Sequence, residues 1–402
     1  MAASKILIST EVVIVGAGLV GLTAAIALSR LGKKVVLTDA GSRPLLAENW
    51  VQDTSHWDAR IYALTNESVH WLQQIGVWQH VPASRINAMS AMHLWSPTAM
   101  HATPSLRLAA EDAHLAQMGC IVESQALIAA CWQVLAESDL TIITDAAAQS
   151  LQHAGHNVQL SLPQHVITAQ LLLGADGARS WVRAQSGVSV SRVDFEQTAL
   201  VTNYLAEQPH GNIARQWFGN HETLALLPMP QQQVSLVWAL PHAQAVEKQR
   251  LAPAALAAEV AQRCGHVLGS LQPNGPLLSF ALVQQTADDM ALPAVLLLGD
   301  AAHQVHPMAG QGVNLGFQDV QALCLELAKL PALRPLGDAR FLRHVMRMRQ
   351  MDILKMHTLT RGLDKLFARA EPVWTHAAIL GLRGLENSAM LKRFLIRTAT
   401  QG

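Results

Sequence analysis

Residues 11–39 carry a run that few architectures accommodate. Val12-Val13-Ile14-Val15 is continuously apolar, Gly16-Ala17-Gly18-Leu19-Val20-Gly21 is a glycine turn, and Leu22 to Leu31 reads as an apolar helix. Lys34-Val35-Val36-Leu37-Thr38-Asp39 is then a second strand tipped by an acid. In this pattern Gly16 permits the tight turn, Gly18 lets backbone approach a pyrophosphate, and Gly21 lets the helix lie close on the strands. The free N–H groups and dipole at the helix start, where Leu19 and Val20 stand, suit an anion. Asp39, with Ala40 beside it, follows Gly16 by 23 positions, near the spacing of an acid that accepts from an adenosine ribose. An acid there favours an unphosphorylated ribose, so the site suits FAD or NAD over NADP.

The rest of the composition narrows the setting. The 402 residues suffice for two or three modules on a shared core. Charged residues make up 14%, against about a quarter in an average chain, and formal net charge is zero. Half the residues are apolar and mean hydropathy is +0.20. No run approaches the ~18 apolar residues of a spanning helix, and nothing resembles a signal peptide, so a cytoplasmic address is expected. Cys120, Cys131, Cys264 and Cys324 lie apart with no CxxC, and the 18 histidines show no ligand spacing. No metal is expected, and the thiols read as small buried hydrophobes in a reducing compartment. A balanced charge gives no reason to expect nucleic acid.

Further along, helical spacing covers Asn66 to Ile75, Ile121 to Leu135, Ala254 to Cys264 and most of the chain after Gly316. Strand-like runs occupy 86–109, Val158 to Leu173, Ala199 to Leu205, Ala214 to Phe218, Thr223 to Leu227, Val234 to Leu240 and Ala294 to Leu298. Three short apolar strands are each followed by glycine and an acid, with strand-rich segments inserted between them. This interleaving predicts an α/β chain. A Rossmann-like nucleotide-binding domain from 1–85, 110–182 and 285–340 carries an inserted mixed-sheet domain from 86–109 and 183–284. A helical region, 341–402, follows.

The second such motif is Gly174-Ala175-Asp176-Gly177. The third is Gly299-Asp300-Ala301-Ala302-His303, after a buried strand, where Asp300 can accept hydrogen bonds from a polyol. Pro307-Met308-Ala309-Gly310-Gln311-Gly312-Val313-Asn314 then opens a helix expected over Leu315 to Lys329, whose dipole could cradle an electron-rich ring edge. The plainer reading is a glycine-rich cap with Asn314 at the N-cap.

Taken together, GAGLVG, Asp58-Ala59-Arg60, Gly174-Ala175-Asp176-Gly177 and Gly299 through Asn314 resemble the single-component flavin aromatic hydroxylases, most closely those of ubiquinone biosynthesis. The resemblance runs the whole chain in order. It implies a fold like p-hydroxybenzoate hydroxylase with non-covalent FAD. By that likeness Gly16, Gly18, Gly21 and Asp39 hold the ADP half, and Arg60 reaches the phosphate or ribityl region. Asp300 holds the ribityl chain, Pro307 through Asn314 flank the ring, and Asp176-Gly177 serves cofactor and nicotinamide donor. Two departures stand out. Asp39 replaces a usual Glu, and Glu123-Ser124-Gln125 replaces a usual Glu-Asn, leaving Ser124 or Gln125 for that flavin contact. Arg60 has an alternative, a surface salt bridge with Asp58.

The same likeness implies that NADH or NADPH reduces FAD and that O2 yields a C4a-hydroperoxide, which hydroxylates a phenol ring while the protein excludes water. No catalytic base is identified, and His303 and His306 read as packing or loop groups more than catalysts. Trp95, Trp217, Phe218, Leu226 and Pro228 are candidates for an apolar ceiling over the substrate, against the commoner fate of core packing. A polyprenylated phenol needs a route from the bilayer. Residues 341–402 hold eleven Lys/Arg against four acids, an excess of seven, interleaved with apolar side chains. Basic amphipathic helices of this kind suit a peripheral seat at the inner membrane face or a ubiquinone-synthesis partner, or else cap the FAD domain. The first reading is thus a polyprenyl-phenol hydroxylase. The rivals are a hydroxylase of a small soluble phenol and a non-enzymatic prenyl- or partner-binding protein.

Overall fold

The computed structural model describes residues 5–44, 50–51, 56–96, 103–154, 156–219, 221–304, 312–331, 333–368, 384–386 and 388–401. The strand Ile6–Val15 runs parallel to Val35–Thr38 on one side and to His165–Gly174 on the other. Val12, Val13 and Ile14 are wholly buried, because helices and strands cover both faces of the sheet, and this is why the run is apolar without alternation. The sheet order is Ala291–Leu292, Val295–Leu297, His165–Gly174, Ile6–Val15, Val35–Thr38, Thr141–Ile143. A hairpin, Ser150–Ala154 with Asn157–Ser161, extends from His165–Gly174.

Register decides where the loops emerge. Val15 is level with Thr38 and with Gly174, and Gly174 is level with Leu297. All three glycine-acid loops therefore leave the same edge of the sheet, at the strands' carboxyl ends, where open α/β sheets bind ligands. The helix Leu19–Arg30 packs on this sheet beside Ser124–Ala136 and Gly312–Leu327.

A second sheet of nine strands orders His303–Gln304, Leu278–Ala287, Val190–Ala206, Gln233–Pro241, Glu222–Pro228, Ile213–Gly219, Ala91–Trp95 and Leu106–Ala109, with Leu271–Pro273 on Val190–Ala206. The helix Pro253–Arg263 covers one face through Leu256, Val260 and Ala261, which pack on Leu200, Trp217, Leu226 and Trp238. A third, three-stranded sheet joins Ile61–Leu64, Gly119–Glu123 and Ile86–Met89.

Most expected elements form with small shifts at their ends. The helix expected from Asn66 spans Asn66–Gln74, and Thr65 caps it by accepting from the Ser68 N–H at 3.2 Å. Two expectations change. Ile121–Glu123 is strand, and the helix begins at Ser124, because this run pairs with Ile61–Leu64 and Ile86–Met89. Ile86–Met89 accordingly belongs to the three-stranded sheet, apart from Ala91–Trp95 in the nine-stranded one.

Candidate active site

The edge where the three loops emerge faces the open side of the nine-stranded sheet across one cavity of about 880 Å³. On its sheet-edge wall stand Gly16, Gly18, Leu19, Val20, Asp39 and Ala40 from the first motif. Asp176 and Gly177 come from the second, and Asp300, Gly312 and Val313 from the third. Arg60 lines it from the segment before Ile61–Leu64.

The turn geometry explains the glycines. Gly16 has φ +110° and lies against the backbone of Ala175, so a Cβ there would overlap the Ala175 carbonyl. Gly21 is packed the same way against the Gly16 carbonyl and lies beneath the turn, outside the cavity wall. Gly18 differs: a Cβ on it would meet nothing within 4 Å, since its open side is the cavity. It is also the N-cap of Leu19–Arg30, with no side-chain cap and no acid in the first turn, so the helix start is left for an anionic ligand.

Asp39 accepts from the Ala17 N–H at 2.5 Å and from the Gly41 N–H at 2.7 Å, which fixes its carboxylate beside the turn. Asp176 spends both oxygens on its own chain, taking the Ser180 hydroxyl at 2.5 Å and the Val182 N–H at 3.0 Å. Its carboxylate organises the loop at the cavity edge. Asp300 opens onto the cavity while enclosed by protein on its other sides. That enclosure raises its pKa above the usual carboxylate range, and His303 and Arg60 only partly offset the rise.

The stretch Asp58-Ala59-Arg60 is also resolved by its bonds. Asp58 accepts from the Arg60 N–H at 2.9 Å and from the Gln125 N–H at 3.1 Å, tying the segment to the start of Ser124–Ala136. No Arg60–Asp58 ion pair forms among the described residues; the Arg60 guanidinium lies 5.7 Å from the centre of the Phe280 ring. Glu123, buried, accepts from the Asp58 N–H at 2.6 Å and pairs with buried Arg85 at 3.1 Å. Burial raises the Glu123 pKa, against the bonds from Asp58 and Arg85. Ser124 is buried and, with Gln125, lies outside the cavity wall; its hydroxyl bonds to Tyr62, which does line the cavity. Burial raises the Tyr62 pKa, and the Ser124 bond works against it.

The third motif differs from expectation at Asn314. The helix Gly312–Leu327 already encloses it, so it is no N-cap: its side chain donates to the Ala63 carbonyl at 2.9 Å and accepts from the Thr65 N–H at 3.2 Å. Gly299 is buried against Val20, and its N–H donates to Asp319 at 3.0 Å. Pro307, Gly310, Gln311 and His306 lie outside the described residues. His303 is buried and bonds to Asp319 at 2.6 Å, behind the loop and away from the cavity. Asp319 is wholly buried. Burial alone would raise its pKa, but His303, Arg349 at 3.1 Å and the Gly299 N–H together hold it below the usual range. Sequence reading missed this network and also Arg183, which donates to the carbonyls of Ala178 and Ala301, both at 2.9 Å.

The proposed ceiling is corrected. Trp95 and Trp217 stack at 4.5 Å, and with Leu226 they fill the far face of the nine-stranded sheet. Phe218 packs with Leu106, Leu108 and Ile396, and Pro228 is buried outside the cavity wall. Strand alternation turns Trp217 and Leu226 away, so that Gln216, Ala225 and Leu227 beside them, with Val201 and Val237 on the adjoining strands, reach the cavity instead; Phe218 lies on the cavity side but beyond the cavity's end. Met89, Met92, Met118 and Phe280 complete this apolar end, and none of them carries a motif.

Residues 9–334 match the family described as FAD binding domain. The chain is 32% identical to 3-demethoxyubiquinol 3-hydroxylase of Escherichia coli, covering 97% of this chain and 98% of that one. It is likewise 32% identical to ubiquinone hydroxylase UbiL of Rhodospirillum rubrum, covering 97% and 89%. Among solved structures, p-nitrophenol 4-monooxygenase PnpA from Pseudomonas putida superposes with a TM-score of 0.79 at 16% identity, covering 99% of each chain. Klebsiella pneumoniae HpxO complexed with FAD and uric acid gives 0.74 at 16%, covering 98% and 97%. The bare Gly18 edge, the unshielded helix start and the three loops on one cavity fit FAD. The chain belongs to the FAD binding domain family, among its ubiquinone-biosynthesis hydroxylases.

Proposed function

We propose that this protein hydroxylates the aromatic ring of a polyprenylated phenol in ubiquinone biosynthesis, using FAD, NADH or NADPH, and O2. One observation carries the reading: the cavity that holds the three glycine loops continues into an apolar chamber of Val201, Leu227, Val237, Met89 and Met92, where a lipophilic ring can lie. Bound FAD supplies hydride acceptance and oxygen activation, which no side chain provides.

The chain's own residues bind and orient. Gly16, Gly18 and the N–H groups of Leu19 and Val20 receive the pyrophosphate, and Asp39 the adenosine ribose. Asp300 receives the ribityl hydroxyls, and Gly312 and Val313 meet the ring. Arg60 offers positive charge on the opposite wall. The apolar sheet face excludes water from the reacting centre. The nucleotide-binding part comprises 1–85, 110–182 and 285–340, with Ile86–Met89 joined to it through the three-stranded sheet; the substrate part comprises the rest of 86–109 and 183–284, and 341–402 is a C-terminal region whose start packs on the nucleotide-binding core. Through the C-terminal region the protein makes peripheral contact with the inner membrane face or a synthesis complex. Among the described residues no helix is long and apolar enough to cross a membrane.

Deleting the gene and analysing quinone precursors tests the assignment. A blocked prenylated phenol is expected to accumulate; intact ubiquinone without an accumulated intermediate would remove it.

A further inference from the structure

Behind the apolar end of the cavity lies one packed cluster that reaches a surface helix. Met89, Met118 and Ala214 line the cavity and also form a packed cluster with Phe218, Leu106 and Ile396. Ile396 is wholly buried and belongs to the last described helix, Ala389–Gln401. That helix turns its opposite face outward, with Met390 84%, Leu391 48% and Phe394 66% exposed. Arg393 and Arg397 are exposed on it, and Ala389–Gln401 contains no acid. Among the described residues its polar ties include Glu386, which accepts from the Arg107 N–H at 2.8 Å and pairs with Lys392 at 2.9 Å, and Arg393, which donates to the Asp112 carbonyl at 3.4 Å.

We infer that Ala389–Gln401 is the face by which this protein seats itself on an anionic lipid bilayer, directly over the methionine-lined end of the cavity that receives the isoprenoid tail. This rests on the prenylated-phenol reading above. Three observations single out the bilayer as occupant. Large apolar side chains interspersed with arginine on an outward helix face match an interfacial helix, whose apolar side enters the acyl boundary while its cations meet anionic headgroups. The surrounding region is basic, with eleven Lys/Arg against four acids in 341–402. The inner face of the same helix backs the cavity wall through Ile396, which packs in one cluster with Met89 and Met118, so a tail entering from the bilayer beside it meets those methionines first. Unbranched thioether side chains repack around an irregular chain more readily than branched ones.

The test compares the FAD-loaded full-length protein with two variants, Met390→Glu/Leu391→Glu and Arg393→Gln/Arg397→Gln. Flavin content and melting temperature confirm folding. Sedimentation with phosphatidylcholine/phosphatidylglycerol vesicles should show the wild type bound, and hardly bound to phosphatidylcholine alone. The arginine pair should bind the anionic vesicles about 30-fold more weakly, at about 1 kcal/mol per basic residue. Both variants should lose hydroxylation of a long-tailed phenol embedded in vesicles while keeping that of a tail-less soluble phenol. Variants that bind anionic vesicles like the wild type overturn the inference. So does equal loss on both phenols, or a wild type that ignores vesicles but self-associates through this face. A wild type that hydroxylates neither phenol defeats the substrate reading, and the vesicle measurement still decides this one.

Discussion

Arg183 Nη1 donates to the carbonyl of Ala301 at 2.9 Å, while Nη2 donates to the carbonyl of Ala178. A buried cation thus clasps the second glycine loop to the third, across 118 positions of sequence. Replacing it with leucine removes two charged hydrogen bonds and leaves the buried Ala301 carbonyl without a donor, while the Ala178 carbonyl keeps the Gln285 amide at 3.0 Å. At about 1.5–3 kcal/mol for each charged hydrogen bond, Arg183→Leu should cost about 3 kcal/mol or more in stability and weaken FAD retention. Calorimetry and flavin titration check this; an unchanged flavin dissociation constant would show that the loops hold their places without the clasp.

Gly16 and Gly18 separate folding from binding. Gly16→Ala puts a methyl group into the Ala175 backbone at φ +110°, so the variant should lose about 3 kcal/mol or more and yield little folded protein. Gly18→Val projects into open cavity and should fold with nearly wild-type melting but purify colourless. A yellow Gly18→Val protein would contradict the placement of the pyrophosphate there.

Asp300 should trade stability for cofactor. Its pKa in the fold lies above the usual carboxylate value, so ionisation opposes folding, and apoprotein stability falls as pH rises from the ordinary value through the raised one. Asp300→Asn should therefore raise the melting temperature of the apoprotein at neutral pH while binding FAD at least several-fold more weakly. Thermal melts of both apoproteins across pH, with flavin titration, settle it; a lower-melting asparagine variant would refute the electrostatic account.

Asp319 carries the opposite sign. His303, Arg349 and the Gly299 N–H hold its pKa down, so its contribution is complete above the ordinary carboxylate range and fades as pH falls through the lowered value. Asp319→Asn leaves Arg349 and His303 buried beside a neutral group and should cost about 3–5 kcal/mol at pH 7. It should also flatten the acid limb of the stability profile. Urea unfolding at several pH values measures both.

The glycine loops could be read from sequence because each needs a residue type that nothing else replaces: a backbone crossing at Gly16, a bare edge at Gly18, an acid at a strand's end for Asp39 and Asp300. The substrate chamber could not. Alternation along Ile213–Gly219 and Glu222–Pro228 marks two faces without saying which meets the cavity, and both faces of this sheet are covered by apolar groups. Trp95 and Trp217 looked like a ceiling because they are large and aromatic, yet they stack beneath the helix Pro253–Arg263. Trp217→Ala should accordingly cost about 3–5 kcal/mol and leave the Michaelis constant for the phenol unchanged. Asp319 and Arg183 were silent for another reason. Each acts through partners far away in sequence or through backbone carbonyls, and neither leaves a spacing to detect.

The sheet register has a bearing on biosynthesis. Val295–Leu297 completes the parallel sheet beside His165–Gly174, so nearly three-quarters of the chain must leave the ribosome before the edge around Gly16 is whole. Until then the apolar flank of Leu172 and Leu173 has no neighbouring strand and waits as open, sticky surface. Slowing translation just before residue 295 should therefore increase aggregation of the nascent chain more than a pause placed after it.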